Sequence, residues 1–175
     1  MPAISGTIIY QTKTFSVVTL EHRPHIPRQD GGHIMICATE KYFPDRTALS
    51  PREAIELMRL SMMAAEAYPA AMELQGVEIE RINFQENGNW ALLHDKPPVF
   101  HLHLYGRTRR SKSQTWGEAL YFPDPHDPRY AGFEPLTKED CEAIREKLEA
   151  LAKEPRYSDE MWGLKENVTV KVKKR

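Results

Sequence analysis

His101-Leu102-His103-Leu104-Tyr105 sets two imidazoles and a phenol at alternate positions of the chain. Successive side chains of an extended strand point to opposite faces, so these three polar groups share one face, with Val99, Leu102 and Leu104 supplying apolar contacts around them. A neutral imidazole nitrogen attacks phosphorus at neutral pH when its other nitrogen is held as an N–H donor. Directly after the strand, Gly106 is followed by Arg107, Arg109, Arg110 and Lys112, cationic groups suited to holding an anion. His-x-His on one strand is also how zinc and iron sites begin, completed by a third His or a carboxylate, here His94, His126 or Glu118. No carboxylate follows His103 within a few residues, the basic run repels a cation, and the long helix described below does not suit an all-β barrel. The expectation is therefore no metal at this motif and no cofactor.

The elements that must position this strand read as an α+β chain. Thr7 to Thr12 and Phe15 to Leu20 are two β-rich runs separated by Lys13 and Thr14, which predicts a hairpin. After Pro27 and the Gly31-Gly32 turn, Gly32-His33-Ile34-Met35-Ile36 reads as a third strand. Ser50-Pro51-Arg52-Glu53 is a capping box with Pro at the first helical position, and Ile55, Met58, Met62 and Ala65 recur at helical spacing. The methionines Met58, Met62, Met63 and Met72 read as core filler. Pro69 predicts a kink or an end near Tyr68, and Gly76 a terminator before a strand over Val77 to Gln85. Further on, Trp116 to Pro123 reads as an ordered aromatic segment and Asp124 to Pro135 as an irregular loop. Thr137-Lys138-Glu139-Asp140 opens a second helix to about Lys153, and Val168, Val170 and Val172 alternate with polar residues in a final strand. A single domain over 1–175 is expected, with a core over about 5–110 and an extension over about 111–175 packed on it.

Phe100 to Tyr105 resembles the signature of the histidine-triad family, in which His alternates with apolar residues and the second His attacks the α-phosphorus of a nucleotide. Setting His101 first makes His103 the nucleophile and leaves Tyr105 at the third position, where it keeps a hydrogen-bond donor but cannot carry imidazolium charge. The likeness extends over roughly residues 7 to 107 and includes the order hairpin, strand, long helix, two strands. It implies an antiparallel sheet with one long helix between strands, and a nucleotidyl intermediate on His103, whose second nitrogen a backbone carbonyl would hold. His101 and Tyr105 would bond the non-bridging oxygens, His33 would sit close to the nucleophile, and Asn87, with Asn83 and Asn89 as close rivals, would contact ribose and phosphate. The Gly-Gln-Ser/Thr segment of the family is replaced by Asp95-Lys96-Pro97-Pro98, so contacts to the leaving group fall to His94, Lys96, Arg107 or Arg109-Arg110. A homodimer is also implied.

The resulting expectation is a hydrolase or nucleotidyltransferase cleaving a nucleoside phosphoanhydride or phosphoramidate, in which His103→Ala abolishes transfer and spares binding. The runner-up is a catalytically weak nucleotide-binding protein, because Tyr105 and Pro97-Pro98 remove two family features that assist chemistry. A His-x-His metal enzyme is third. The 175 residues are 41% apolar with a net charge of −1, which argues against a nucleic-acid-coating protein; the small-molecule nucleotide partner is what the resemblance implies. No stretch approaches the roughly 20 apolar residues of a membrane span, Met1 to Gln11 lacks the pattern of a leader, and Cys37 and Cys141 form no metal or disulfide motif. A cytoplasmic location is expected.

Overall fold

The computed structural model describes residues 6–124 and 126–164. Its sheet has five antiparallel strands: β1 (Thr7–Gln11), β2 (Phe15–Thr19), β3 (His33–Ala38), β4 (Arg81–Glu86) and β5 (His101–Arg107), in the order β1-β2-β3-β5-β4. Between β3 and β4 runs the long helix α1 (Pro51–Leu74). A short helix α2 (Asn89–Leu93) interrupts the connection from β4 to β5, and α3 (Lys138–Leu151) lies against α1 and β1. The α+β class, the antiparallel sheet and the long helix are as the sequence predicts. The final strand expected over Val168 to Lys173 lies outside the described residues.

Alternation divides the sheet into two faces. Phe15, Val17, Ile34, Ile36, Leu102 and Leu104 point to the core side, where they meet Leu60, Ala64, Ala67, Tyr68, Ala71 and Met72 of α1 and Ile144 and Leu148 of α3. Full burial of each such large aliphatic or aromatic side chain contributes about 1.5–3 kcal/mol. Both helices start where their capping boxes direct: Ser50 with Glu53 for α1, Thr137 with Asp140 for α3. Glu56 of α1 also clasps the β1–β2 turn, accepting from Thr12 Oγ1 at 2.5 Å and Thr14 Oγ1 at 2.8 Å.

Two expectations for α1 are corrected. Pro69 does not end the helix, which continues to Leu74; Tyr68, Ala71 and Met72, all fully buried around it, supply packing that offsets the one amide bond proline removes. Gly76 terminates it at φ +79°, a conformation glycine adopts without strain. The buried face is also different from the one read from spacing. Met63 and Met72 are buried, but Met58 and Met62 are 56% and 46% exposed, and Ile55 lies outward with them. Apolar residues occupy both sides of this helix, and the stripe through Leu57, Leu60, Ala64, Tyr68 and Ala71 is the one that meets the sheet. The strand expected from Val77 begins at Arg81, because Val77 to Glu80 precede the ladder.

β3 and β5 are locked together by three glycines, Gly31 and Gly32 before β3 and Gly106 in β5. Gly106 N donates to Gly32 O at 3.1 Å, and a Cβ on Gly106 would lie 2.1 Å from Gly31 O. Gly31 itself has φ +120°, and its carbonyl accepts from the buried Tyr68 hydroxyl at 2.7 Å. Gly106→Ala is expected to cost at least the roughly 1–3 kcal/mol of core overpacking, since backbone on both sides must move. Thermal denaturation checks this: each kcal/mol lowers Tm by about 2–4 °C in a chain of this size, and an unchanged Tm would show the contact to be loose.

Candidate active site

The face of the sheet away from α1 carries the polar side chains. Register pairs Tyr105 with His33 and Asn83, His103 with Met35 and Gln85, and His101 with Cys37, so the three motif residues sit in mid-sheet between β3 and β4. Their rings form a continuous row, with centroids 4.5 Å apart for His101 and His103 and 5.2 Å for His103 and Tyr105. The shared face expected of the motif is observed. Leu20, Met35, Val99, Ala91 and Leu120 complete a 550 Å³ cavity above His101 and His103, together with His25, Asn87, Gly88, Tyr121 and Phe122.

The two motif histidines are held differently. His101 Nδ1 is 2.7 Å from the carbonyl of Val99. A carbonyl only accepts, so this nitrogen carries the proton and Nε2 carries the lone pair. His103 Nδ1 instead lies 2.8 Å from His33 Nε2, and either ring can donate. Burial, followed by the charges of His101 and His25, pushes His103 down to about 2, and burial also lowers His101 from its ordinary 6.5. His33, fully enclosed, is depressed well below that value by burial and then by its three histidine neighbours. All of these rings are neutral at pH 7, as nucleophilic attack requires. Tyr105 is fully buried, its phenol pushed far up by burial; its hydroxyl lies 2.9 Å from His25 Nδ1 and accepts from Asn87 Nδ2 at 3.3 Å.

Of the residues singled out by sequence, His33, Asn87, His101, His103 and Tyr105 come together. Arg107 does not join them. Its guanidinium donates to Asn83 Oδ1, to Thr115 O at 2.8 Å and to Glu118 O, so it anchors the loop after β5 and lies outside the cavity. Arg109 pairs with Glu80 and lies over the Trp116 ring. His94 and His126 face one another, with ring centroids 6.0 Å apart. The aromatic segment divides: Trp116 stays under Arg109, while Phe122 packs 4.9 Å from Tyr105 and 5.4 Å from His25 at the cavity wall.

His25 is the site residue that sequence reasoning missed. It sits in the connection between β2 and β3, flanked by Pro24 and Pro27, and its ring stacks 4.9 Å from His33. Burial, then the charge of His101, lowers it to about 4. A histidine between two prolines in a loop has no periodicity to betray its direction, and only its nearness to Gly31-Gly32 hints that it returns to the sheet.

No protein-family model matches the chain, and no curated protein matches it. Solved structures do. One is described as a hypothetical histidine triad nucleotide-binding protein from Sulfolobus tokodaii strain7, with 18% identity over 85% of this chain and 87% of that one, at a TM-score of 0.52. Another is a Zn-bound histidine triad family protein from Mycobacterium smegmatis, with 19% identity over 86% of this chain and 87% of that one, at a TM-score of 0.53. At such identities the likeness is one of fold.

Proposed function

We propose that this chain, which has the fold of the histidine-triad proteins, binds a nucleotide in the cavity over β3 and β5 and cleaves its phosphoanhydride or phosphoramidate bond through a nucleotidyl-imidazole on His101. The observation that carries the choice of residue is the 2.7 Å contact from His101 Nδ1 to Val99 O, which fixes the tautomer with Nε2 free to attack. His103 has no such carbonyl and leans on His33. Making His101 the second histidine of the signature puts Val99 at the first position and His103 at the third, so Tyr105 need not stand in for an imidazole.

In this reading the Nε2 lone pair of His101 bonds to the α-phosphorus as the bond to the leaving group breaks. Water then cleaves the P–N bond, releasing nucleoside monophosphate and restoring the imidazole. Two steps divide one difficult displacement into positioning problems. His103 and Asn87 line the cavity and would contact phosphate and ribose in this reading, with Leu20, Met35 and Phe122 as apolar surface for a base. No Lys or Arg is among the described residues lining the cavity, which favours a second reading in which nucleotide is held but turned over slowly.

The test is to incubate the protein with dinucleoside polyphosphates, nucleotide sugars and nucleoside phosphoramidates and to follow monophosphate release. Release from one class is expected and names the leaving group. Silence with nucleotide still bound selects the binding protein, and silence without binding overturns both readings.

A further inference from the structure

We infer that His25, His33 and His103 form a three-imidazole site for a zinc-like divalent cation, with one coordination position open to the cavity. The three come from different segments, the β2–β3 connection, β3 and β5, yet one ligand nitrogen from each lies within 4.8 Å of the others. They are the one group of three His, Cys, Asp or Glu side chains among the described residues that is arranged to hold a metal ion. The motif expectation of His94, His126 or Glu118 completing His-x-His is not what the fold assembles.

The geometry suits a tetrahedral ion. Metal–nitrogen bonds of 2.0–2.1 Å put ligand nitrogens about 3.3 Å apart in that arrangement. His33 Nε2 and His103 Nδ1 are closer than this, at 2.8 Å, and the widest separation in the group is larger. Parting the first pair slightly and moving His25 inward brings all three to the required spacing. His25 is the partly exposed member and sits on a loop, so its movement displaces no strand.

The donor chemistry agrees. Three imidazoles offer the nitrogen donors that such an ion takes. His33 Nδ1 and His103 Nε2 are buried with no hydrogen-bond partner, so the pair spends four ring nitrogens on one hydrogen bond. A cation bound by His33 Nε2 and His103 Nδ1 would replace that one hydrogen bond and leave the ring protons on His33 Nδ1 and His103 Nε2. Three histidines suit zinc and its late first-row neighbours better than magnesium or calcium. Two cations of the basic run are turned elsewhere, Arg107 bound to the loop after β5 and Arg109 to Glu80.

Three neutral ligands leave the ion its full charge, and the cavity supplies no Lys or Arg among its described lining residues. An anionic oxygen is therefore the natural fourth ligand. That role for the ion rests on the nucleotide reading above; the binding of the ion does not.

The experiment is a Co2+ titration of tag-free apoprotein, followed by equilibrium dialysis and by the visible absorption of four- or five-coordinate cobalt. One equivalent is expected, displaced by Zn2+. His25→Ala and His33→Gln are each expected to weaken binding by more than the roughly 10–100-fold that losing a hydrogen bond to a ligand costs. His94→Ala/His126→Ala is expected to leave it unchanged. Adding AMP or inorganic phosphate should shift the cobalt spectrum if the fourth position faces the cavity. Absence of one-equivalent uptake, uptake unaffected by His25→Ala, or uptake lost with the His94 and His126 pair overturns the site. His25→Ala decides should the buried His33 variant fail to fold. Metal uptake without nucleotide turnover would sink the nucleotide reading and leave this one standing; turnover in metal-free protein with no Co2+ uptake would do the reverse.

Discussion

His101→Ala is expected to lower monophosphate release by about 10^4-fold or more, the scale on which losing a nucleophile or its partner reduces kcat in a hydrolase. Nucleotide binding should survive, because the cavity walls and His103 remain. His103→Ala, by contrast, removes a contact to the phosphate and should cost about 10^2–10^3-fold, the range measured for one oxyanion donor. The decisive readout is the intermediate. With nucleotide labelled in the α-phosphoryl group and an acid quench avoided, the wild type and His103→Ala should carry label on protein, and His101→Ala should carry none. The opposite pattern would assign the attack to His103, the residue that the sequence frame selects. The reason to expect His101 is its tautomer. The Val99 carbonyl permits only one, whereas the bond between His33 and His103 permits two, and in one of them the buried Nε2 of His103 is protonated and cannot attack.

The second large effect concerns stability. Asp140 is completely buried and accepts from Arg28 Nε at 2.6 Å and Nη2 at 2.8 Å, while also receiving the Thr137 amide at the start of α3. Arg28 in turn donates to Gln75 O at the end of α1, so the pair fastens the β2–β3 connection to both helices. Asp140→Ala strands the guanidinium and opens the cap. Removing one partner of a buried pair costs about 3–5 kcal/mol, and because Arg28 keeps some contact with water the lower end is expected, a fall in Tm of about 6–12 °C.

The pH dependence of the pair has a definite sign. Burial works to raise the Asp140 carboxyl, but the bonds from Arg28 and Thr137 outweigh it and hold the group below its ordinary 3.8. A carboxylate depressed on folding stabilises fully above its unfolded value and loses that contribution as pH falls through the folded one. The Tm gap between wild type and Asp140→Asn should thus be constant from pH 7 to about 5 and shrink below pH 4. A gap absent at pH 7 would show that the ion pair contributes nothing net.

Several features were legible because they are local. Capping boxes at Ser50 and Thr137 satisfy amides within four residues, so both helix starts could be read directly. The period-two pattern of β5 gave the common face of His101, His103 and Tyr105 for the same reason. Other features depend on neighbours distant in sequence. α1 has apolar residues on two sides, and which side is buried depends on where the sheet and α3 lie, so Met58 and Met62 were misread. Pro69 carries its penalty in any helix, but only Tyr68 and Met72 packed in the core show that the helix absorbs it.

The sequence by itself determined the α+β class, the order of elements and the three polar groups on one strand, because periodicity and capping act within a few residues of each position. The tertiary structure decided which of those groups can do chemistry. Arg107 is a cation in any reading, but the long reach of its side chain lets the Thr115 and Glu118 carbonyls claim it. His25 enters through a loop whose path is set by contacts distant in sequence, among them the Gly31-Gly106 approach, the Arg28–Asp140 pair and the ring of His33. The lone pair of His101 is aimed by a hydrogen bond to its own strand, while that of His103 is shared with a ring 70 residues away in sequence. Type and spacing are written along the chain; orientation and protonation are set by what folding brings within about 3 Å.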